Sequence, residues 1–398
     1  MTANALRNES HEDVDYLAEV ARLSPLIASM SSEIEAAAQL PDRLADALLD
    51  AGLYRMLLPT ALGGGQVEPR LFVEVLERIA RVDASTAWCI GQTSSCSMSA
   101  AVLHPEVGAR IFLDPRGVMA WGPGKGRADI VEGGFRVTGD WSFASGCRQA
   151  TWVGGLSTLY RDGQEVTDPA TGKPVIKIML FPVGQVAMRK SWNVIGLKGT
   201  GSDSYSVKDV FVPERHCLVQ DDPRERHNHS PLYSVTSRNM YAMGFSGIAL
   251  GIATAMLDQF IDIAKSKTPK GLQSTLKQSA VVQAGVAQAR ASLESSRVYM
   301  ATTIDRVWSA LKASGAPAMS LDDRVALRLA ASHAIRQAYQ VADYAFHAAG
   351  ASAVYTGDPM ERRFRDIVTL RQHIQGRDDL FEICGQYMLG DAPDFLSV

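Results

Sequence analysis

The chain has 398 residues, 46% of them hydrophobic and 21% charged, so it is long enough to bury several layers of core. Its 40 basic residues nearly balance its 43 acidic ones, and no Lys/Arg cluster provides the charge that nucleic acid or an anionic membrane surface would require. Nucleic acid is therefore excluded as a predicted partner.

The chain begins with a polar, acidic stretch, whereas a signal peptide has a basic patch followed by an apolar run. No later stretch has the length expected of a bilayer span. The five cysteines are scattered without a CxxC pair, and the eight histidines lack the spacing of metal ligands. We therefore expect a cytoplasmic protein without a membrane partner, a disulfide framework or a metal site.

The first part of the chain, residues 1–115, has the apolar periodicity of α-helices. Leu44, Leu48 and Leu49 fall on one helical face, which ends at a glycine. A second helix is predicted over EPRLFVEVLERIARVD, and a third, apolar helix after Ser85. This part is predicted to be a helical domain.

In residues 116–231 the period changes to two, and Gly, Pro and Asp separate the segments. FRVTGDWSF, VIKIMLFPV and DSYSVKDVFVP are typical of strands, and Asp162-Gly163 indicates a hairpin. We predict a compact β domain, either a barrel or a sandwich.

Residues 232–398 return to helical periodicity. Two apolar stripes with three-four spacing indicate long helices, one through Phe245, Ile248, Ile252, Met256, Phe260 and Ile263 and one through Leu327, Ala331, Ala334, Ala338, Val341 and Ala345. Four such helices would form an antiparallel bundle, which makes the whole chain an α+β protein. The alanine-rich stripes also permit packing against another subunit.

Four segments, in this order, resemble the acyl-CoA dehydrogenase superfamily. They are AGLYRMLLPTALGGG, GGFRVTGDWSFASG, WNVIGLKGTGSDSYSVKDVFVP and PMERRFRDIVTLRQHIQG. The resemblance implies an N-terminal helical domain, a central β domain, a C-terminal four-helix bundle, a flavin cofactor and a homotetramer.

A flavin ring requires aromatic walls and hydrogen-bonding groups directed at its polar edge. Phe143, Ser145 and Gly146 supply that combination at the end of a strand. From the residues alone, a strand ending in a Ser-Gly turn is an equally good interpretation. The resemblance implies that Phe143 packs near the ring and that the Ser145 hydroxyl reaches its N5 atom.

The segment from Trp192 to Ser202 contains a glycine-rich turn, which can bring backbone amides close to a ring oxygen or a phosphate. A tight turn beside a buried tryptophan is at least as good an interpretation without the resemblance. With it, Trp192, Thr200 and Ser202 become candidate flavin-binding residues.

The region of the catalytic base departs from the dehydrogenases. Many of them carry a glutamate where this chain has Ile374, and isoleucine cannot accept a proton. The flavin monooxygenases of the superfamily instead carry a histidine in an arrangement that Arg365, Asp366 and His373 match. The resemblance therefore implies that His373, with a pKa near neutrality, acts as an acid, a base or a substrate-orienting group. Packing as a partly buried helix histidine is the alternative.

The helix after STAW could also line the pocket. Some phenol-hydroxylating relatives have a further histidine there, whereas this chain has Gln92 and Cys96. Either the substrate therefore differs from a phenol, or proton transfer is arranged by other residues. These residues and Trp121 are candidates for the substrate pocket, with a role in the core as the alternative, which we prefer for Trp88 and Cys96.

The prediction is the oxygenase component of a two-component flavin-dependent monooxygenase. The resemblance implies that reduced FMN or FAD, delivered by a separate flavin reductase, reacts with O2 to a C4a-hydroperoxide that hydroxylates a small aromatic or heteroaromatic substrate. The alternatives are an FAD-dependent acyl-CoA dehydrogenase, an N-hydroxylating monooxygenase of an amino sugar, and a ligand-binding protein without flavin.

Overall fold

The chain passes from helices to strands and back to helices. The computed structural model describes residues 14–271 and 273–392. The N-terminal part of these residues contains five α-helices, α1 (Tyr16–Ala37), α2 (Asp42–Asp50), α3 (Pro69–Ala80), α4 (Ala84–Ser97) and α5 (Pro105–Phe112).

Helix α4 is nearly wholly buried. It starts at Ala84, because the Asp83 carboxylate accepts a hydrogen bond from the backbone N–H of Thr86 at 2.8 Å and so caps the helix. This is close to the predicted start after Ser85. An apolar helix that is buried on all sides can present residues to several neighbours at once.

All nine described strands join in one mixed sheet, in the order β7-β8-β3-β2-β4-β6-β9, with β1 and β5 both paired to β4. The pairs β1–β4 and β2–β4 are parallel and the others antiparallel. The strands are β1 (Met119–Trp121), β2 (Gly124–Val131), β3 (Gly134–Ala144), β4 (Trp152–Arg161), β5 (Gln164–Glu165), β6 (Ile176–Pro182), β7 (Ala187–Arg189), β8 (Asp203–Pro213) and β9 (Cys217–Leu218).

Two local features of the sheet follow from the sequence. Asp162 and Gly163 both have positive φ, at 51° and 77°, which is the geometry of the predicted hairpin between β4 and β5. The pairing of β3 with β8 is irregular between Trp141 and Ala144. This irregularity ends β3 and redirects the chain at the predicted flavin-contacting segment.

The C-terminal part contains three long helices and two shorter ones. They are α6 (Ser237–Ser266), α7 (Ala280–Ser314), α8 (Leu321–Ala349), α9 (Pro359–Arg371) and α10 (Asp379–Met388). Both predicted stripes face the core, except that Ile263 is only half-buried.

Helix α6 packs against both α8 and α3. A Cβ atom on Gly251 would lie 2.3 Å from the carbonyl oxygen of Glu77, and one on Gly247 would lie 2.7 Å from that of Val73. Only glycine permits so close an approach of α6 to α3. The approach fixes the position of the first half of α6, which carries two residues of the site described below.

The expectation that no stretch has the length of a bilayer span was wrong for α6. Judged by length and composition alone, Ser237–Ser266 would pass as a membrane span, but 94% of its most apolar window is buried inside the fold. The helix is apolar all round because protein surrounds it on all sides.

Candidate active site

Three aromatic side chains from separate parts of the chain meet beside α4. The ring of Trp88 stacks on that of Phe245, with the centroids 3.9 Å apart and the planes parallel. The imidazole of His373 stands edge-on to both, at 5.1 Å from Trp88 and 4.9 Å from Phe245. We call Trp88, Phe245 and His373 the aromatic group.

A row of hydrogen bonds leads from this group into the loops of the sheet. The Trp88 indole N–H donates to the Ser145 hydroxyl at 2.9 Å. Ser145 is 2.6 Å from the hydroxyl of Ser202, which is 2.7 Å from that of Thr200. Thr200 donates to the backbone carbonyl of Leu197 at 2.8 Å. We call Ser145, Ser202 and Thr200 the hydroxyl chain.

The ends of the hydroxyl chain fix the direction of every proton in it. An indole N–H can only donate and a carbonyl can only accept, while each hydroxyl has one proton to give. Thr200 gives its proton to Leu197 and therefore accepts one from Ser202, which in turn accepts one from Ser145. Ser145 receives from Trp88 and gives to Ser202, so one lone pair of its oxygen stays free for a ligand.

The loops that carry the hydroxyl chain adopt conformations that L-residues rarely use. Phe143 and Leu197 have φ of 56° and 52°, and Gly146 has φ of 75°. A Cβ atom on Gly146 would also lie 2.6 Å from the Thr93 side chain. Strained backbone of this kind is often found at functional sites. Gly146 therefore serves to shape this loop.

Phe143 and Trp192 form an open aromatic pair on the same side. Their rings are edge-to-face at 5.8 Å, and Phe143 is 60% exposed. The Trp192 indole N–H donates to the carbonyl of Leu197 at 3.0 Å, which holds its ring in place. An exposed aromatic surface beside a free hydroxyl lone pair fits a flat ring with apolar faces and a polar edge, so the residues present are compatible with a flavin.

Asp366 and Arg365 fasten the Leu197 loop to α9. The buried Asp366 carboxylate accepts from the Leu197 backbone N–H at 2.6 Å, and Arg365 donates to the Ile195 carbonyl while pairing with Glu35. Burial raises the pKa of Asp366 to about 7, against the opposing effect of the Leu197 bond. These two residues therefore support the loop.

His373 does not share a helical face with Asp366, as the spacing had suggested. Helix α9 ends at Arg371, and His373 lies in the following turn. Its Nδ1 accepts from the Gln375 backbone N–H at 3.3 Å, so Nε2 carries the proton of the neutral ring. Burial, with a smaller effect of the Arg328 charge, lowers the pKa of His373 to about 4. The expected pKa near neutrality was therefore wrong, and His373 is a neutral donor.

The three candidate pocket residues meet around a tyrosine. Gln92 directs its amide nitrogen at the Trp121 carbonyl (3.2 Å), the Tyr241 hydroxyl (3.5 Å) and the Cys96 sulfur (3.7 Å). The Cys96 sulfur lies 3.3 Å from the Tyr241 hydroxyl. We call Gln92, Cys96, Trp121 and Tyr241 the Gln92 group.

The Gln92 group adjoins the aromatic group, because the Tyr241 ring stacks on Phe245 at 5.9 Å. Burial raises the pKa of Cys96 to about 12 and that of Tyr241 above its usual range. Both side chains are therefore neutral hydrogen-bonding groups. The structure thus joins polar groups on both sides of Phe245 into one site.

Sequence reasoning missed Tyr241 and Phe245 as site residues and preferred the core for Trp88. Phe245 follows the apolar stripe of α6 like any core residue, and Tyr241 is one turn earlier. No spacing rule separates them from packing residues. The described residues contain no group of three His, Cys, Asp or Glu that could hold a metal ion.

Comparison with known proteins gives the same architecture. A family model for the acyl-CoA dehydrogenase N-terminal domain matches residues 20–104, and one for the C-terminal domain matches residues 243–377. A structure of the HsaA monooxygenase from M. tuberculosis superposes with a TM-score of 0.86 and 25% identity over 96% of this chain and 99% of that one. The 3-HSA hydroxylase from Rhodococcus sp. RHA1 has a TM-score of 0.87, covers 98% and 100%, and at 22% identity supports the fold alone.

Curated relatives cover nearly the whole chain. The indole-3-acetate monooxygenase of Pseudomonas putida is 30% identical over 351 residues, which are 87% of each chain. The oxygenase component of the FADH(2)-dependent resorcinol hydroxylase of Rhizobium sp. (strain MTP-10005) is 26% identical over 397 residues, 96% of this chain and 95% of the relative. With the family models and the shared fold, these relatives establish that the chain belongs to the flavin-dependent monooxygenases of the acyl-CoA dehydrogenase superfamily.

Proposed function

We propose that the protein is the oxygenase component of a two-component monooxygenase that hydroxylates a small aromatic or heteroaromatic compound. The observation that carries the proposal is the junction at Trp88. It donates to Ser145 on the side of the open aromatic pair, and its ring contacts Phe245 and His373 on the other side. A cofactor and an aromatic substrate could thus lie against opposite ends of one rigid assembly.

When bound, the flavin would supply the reaction with dioxygen. Phe143 and Trp192 would cover a face of its ring, and Ser145 would offer its free lone pair to an N–H on the polar edge. A reduced flavin carries such an N–H at N5, whereas an oxidised one has only an acceptor there. We therefore propose reduced FMN or FAD as the cofactor, delivered by a separate flavin reductase.

The remaining residues would handle the substrate. Phe245 and Trp88 would pack against an aromatic ring and exclude water, and the neutral His373 would donate from Nε2 to a polar substituent. Among the described residues, no carboxylate is hydrogen-bonded to His373, Tyr241 or Gln92. Ile374, at the position of the dehydrogenase base, is 52% exposed. This site favours oxygen transfer over removal of an α-proton from a thioester.

We also propose a cytoplasmic homotetramer. The exposed apolar side chains of α7, Val281 and Val298, would suit contact with another copy of the chain. Light scattering of the purified protein tests the assembly, and a monomer at micromolar concentration would contradict it.

The function is tested by turnover with reduced FMN or FAD, isotopically labelled dioxygen and a panel of phenols and indoles. We expect one labelled oxygen atom in a hydroxylated product. Absence of label in every product would contradict the proposal. Anaerobic bleaching of bound oxidised flavin by an acyl-CoA would instead support a dehydrogenase.

A further inference from the structure

The row of aromatic side chains on α6 ends beside two arginines. Arg238 precedes Tyr241 by three residues and Phe245 by seven, so the three side chains leave α6 on the same side. Arg328, on α8, is only 1% exposed. Burial, with the neighbouring charge of Arg238, lowers the pKa of Arg328 to about 10.

Neither guanidinium forms a salt bridge with a carboxylate in residues 14–271 and 273–392, although the charge of Asp221 acts on Arg238. Arg328 donates from Nη1 to the side-chain oxygen of Gln375, while its buried Nε has no acceptor. Arg238 is half-buried and makes no side-chain hydrogen bond within that part of the chain. The two cations therefore act on one another, and neither has the salt-bridged carboxylate that buried arginines normally require.

The carboxylate that acts on this region, Asp221, is already engaged. It accepts from the backbone N–H of Ser237 at 3.1 Å and from its hydroxyl at 2.7 Å, and its charge is shared among Arg238, Arg226 and Arg324. Arg226 itself donates to Ser234 and to a backbone carbonyl. The positive charges around Arg238 and Arg328 therefore still outnumber the negative charges.

A direct link connects this cationic region to the candidate active site. The same Gln375 that accepts from Arg328 through its side chain donates its backbone N–H to Nδ1 of His373. The Arg328 charge also acts on the imidazole. The two arginines and the aromatic group thus adjoin one another, with Tyr241 and Gln375 between them.

We propose that Arg238 and Arg328 bind a carboxylate of the aromatic substrate, so that the protein acts on aromatic acids rather than on neutral phenols or indoles. The inference rests on the proposed function and specifies its substrate class. A guanidinium presents parallel N–H groups that match the two oxygens of a carboxylate. The ring of such an acid would lie along Tyr241, Phe245 and Trp88, with its reacting carbon toward Ser145 and His373.

Binding of pairs of ligands that are similar in shape but differ in charge, each an acid and its neutral amide, to the full-length protein tests the inference. The pairs are indole-3-acetate with indole-3-acetamide, phenylacetate with phenylacetamide, and 4-hydroxyphenylacetate with its amide, titrated by calorimetry. We expect at least one acid to bind about tenfold or more tightly than its amide, as a charge-assisted hydrogen bond predicts. Equal affinities within all three pairs, or no binding of any acid, would overturn the inference.

Variants identify the residues responsible for the preference for the acid over its amide. Arg238→Gln should remove the preference for the acid and leave amide binding unchanged, while Arg78→Gln, which breaks an exposed ion pair on α3, should change neither. Arg328→Met should also lose the preference and melt no lower than the wild type, because it removes a buried charge without a counter-ion. An Arg328→Met protein that melts well below the wild type would show a structural role and contradict the assignment.

The proposed function is measured separately in the same preparations. Labelled oxygen in a product of neutral ligands only would leave the monooxygenase standing and reject the carboxylate site. Tight binding of acids without any oxygen incorporation would support the site and reject the proposed function.

Discussion

Two polar clusters beside α4, the hydroxyl chain and the Gln92 group, differ in the length of their hydrogen bonds and in how strictly the proton positions are determined. In the hydroxyl chain the bonds from Trp88 to Leu197 measure 2.6–2.9 Å, and each proton has a single place. In the Gln92 group, the amide nitrogen of Gln92 has two N–H groups and lies 3.2–3.7 Å from three acceptors. Two of these acceptors are adaptable, because the Cys96 sulfur is polarisable and the Tyr241 hydroxyl can rotate.

The difference indicates a division of work. A chain in which every proton is assigned suits a ligand that is the same in each turnover, such as a flavin ring. Long, interchangeable bonds suit a ligand whose outline varies, because they can be rearranged at little cost. We therefore expect changes in the hydroxyl chain to affect the oxygen chemistry, and changes in the Gln92 group to affect substrate choice.

Removal of the Ser145 hydroxyl should have the largest effect. Ser145→Ala takes away the hydroxyl that accepts from Trp88 and has a lone pair free for a ligand, and we expect product formation per reduced flavin to fall at least about 100-fold, the scale of one positioned polar group. Ser157→Ala, which removes a buried hydroxyl bonded within β4, is the matched control. Retention of coupled hydroxylation in Ser145→Ala would contradict the role of the hydroxyl chain in the oxygen chemistry.

Trp88→Phe should have an intermediate effect. The ring that stacks on Phe245 remains, but the Ser145 hydroxyl loses the indole N–H that holds it in place. We expect about a tenfold loss of coupling, equivalent to one buried hydrogen bond. Trp141→Phe is the control, since it removes an indole N–H bonded to Leu156 in the sheet. An equal loss of coupling in both variants would show that Trp88 contributes only packing.

Tyr241→Phe should act mainly on the substrate. It removes one partner of Gln92 and Cys96 while the ring still packs on Phe245, and the other long bonds can adjust. We expect a change of about threefold in KM, with the reaction of reduced flavin and oxygen unchanged. Tyr233→Phe, whose hydroxyl bonds the Leu57 carbonyl, is the control. A larger effect on oxygen activation than on KM would contradict the division of work.

The remaining effects concern the pH dependence of stability rather than turnover. The folded pKa of Asp366 lies above its unfolded value, so this residue binds more protons when folded and lowers stability as pH rises from about 4 to about 7. His373 is the reverse, because its pKa falls from the ordinary 6.5 to about 4, and stability is lost as pH falls through that window.

The two residues therefore oppose each other below about pH 6.5. Asp366→Asn should make unfolding free energy rise more steeply from pH 4 to pH 7, and His373→Gln should flatten or reverse that rise. Urea unfolding at several pH values measures both slopes. Parallel changes of slope in the two variants would show that burial does not set these pKa values.

The sequence predicted the framework of the site better than its inner contacts. Ser145, Gly146 and Ser202 stood in segments with a recognisable order, and the structure brings Ser145 and Ser202 together. Gln92, Cys96 and Trp121 were weaker candidates, yet they meet. Their meeting depends on the rotation of α4 against β1, which no local pattern specifies.

Other features could not be predicted from the sequence. The stacking of Trp88 on Phe245 depends on the close approach of α6 to α3. Glycines permit that approach, but their presence does not predict it. The low pKa of His373 depends on burial between rings from two other helices and on the Arg328 charge. Both are products of tertiary packing rather than of spacing.

The central claim is that the site on α4 carries out oxygen chemistry on a reduced flavin. The most direct test mixes the purified protein with reduced FMN or FAD without oxygen, then adds oxygen and follows the flavin absorbance by stopped flow. We predict a transient oxygenated flavin that persists well beyond its lifetime in free solution and is lost in Ser145→Ala. Prompt oxidation at the rate of free flavin, with no transient, would contradict the account.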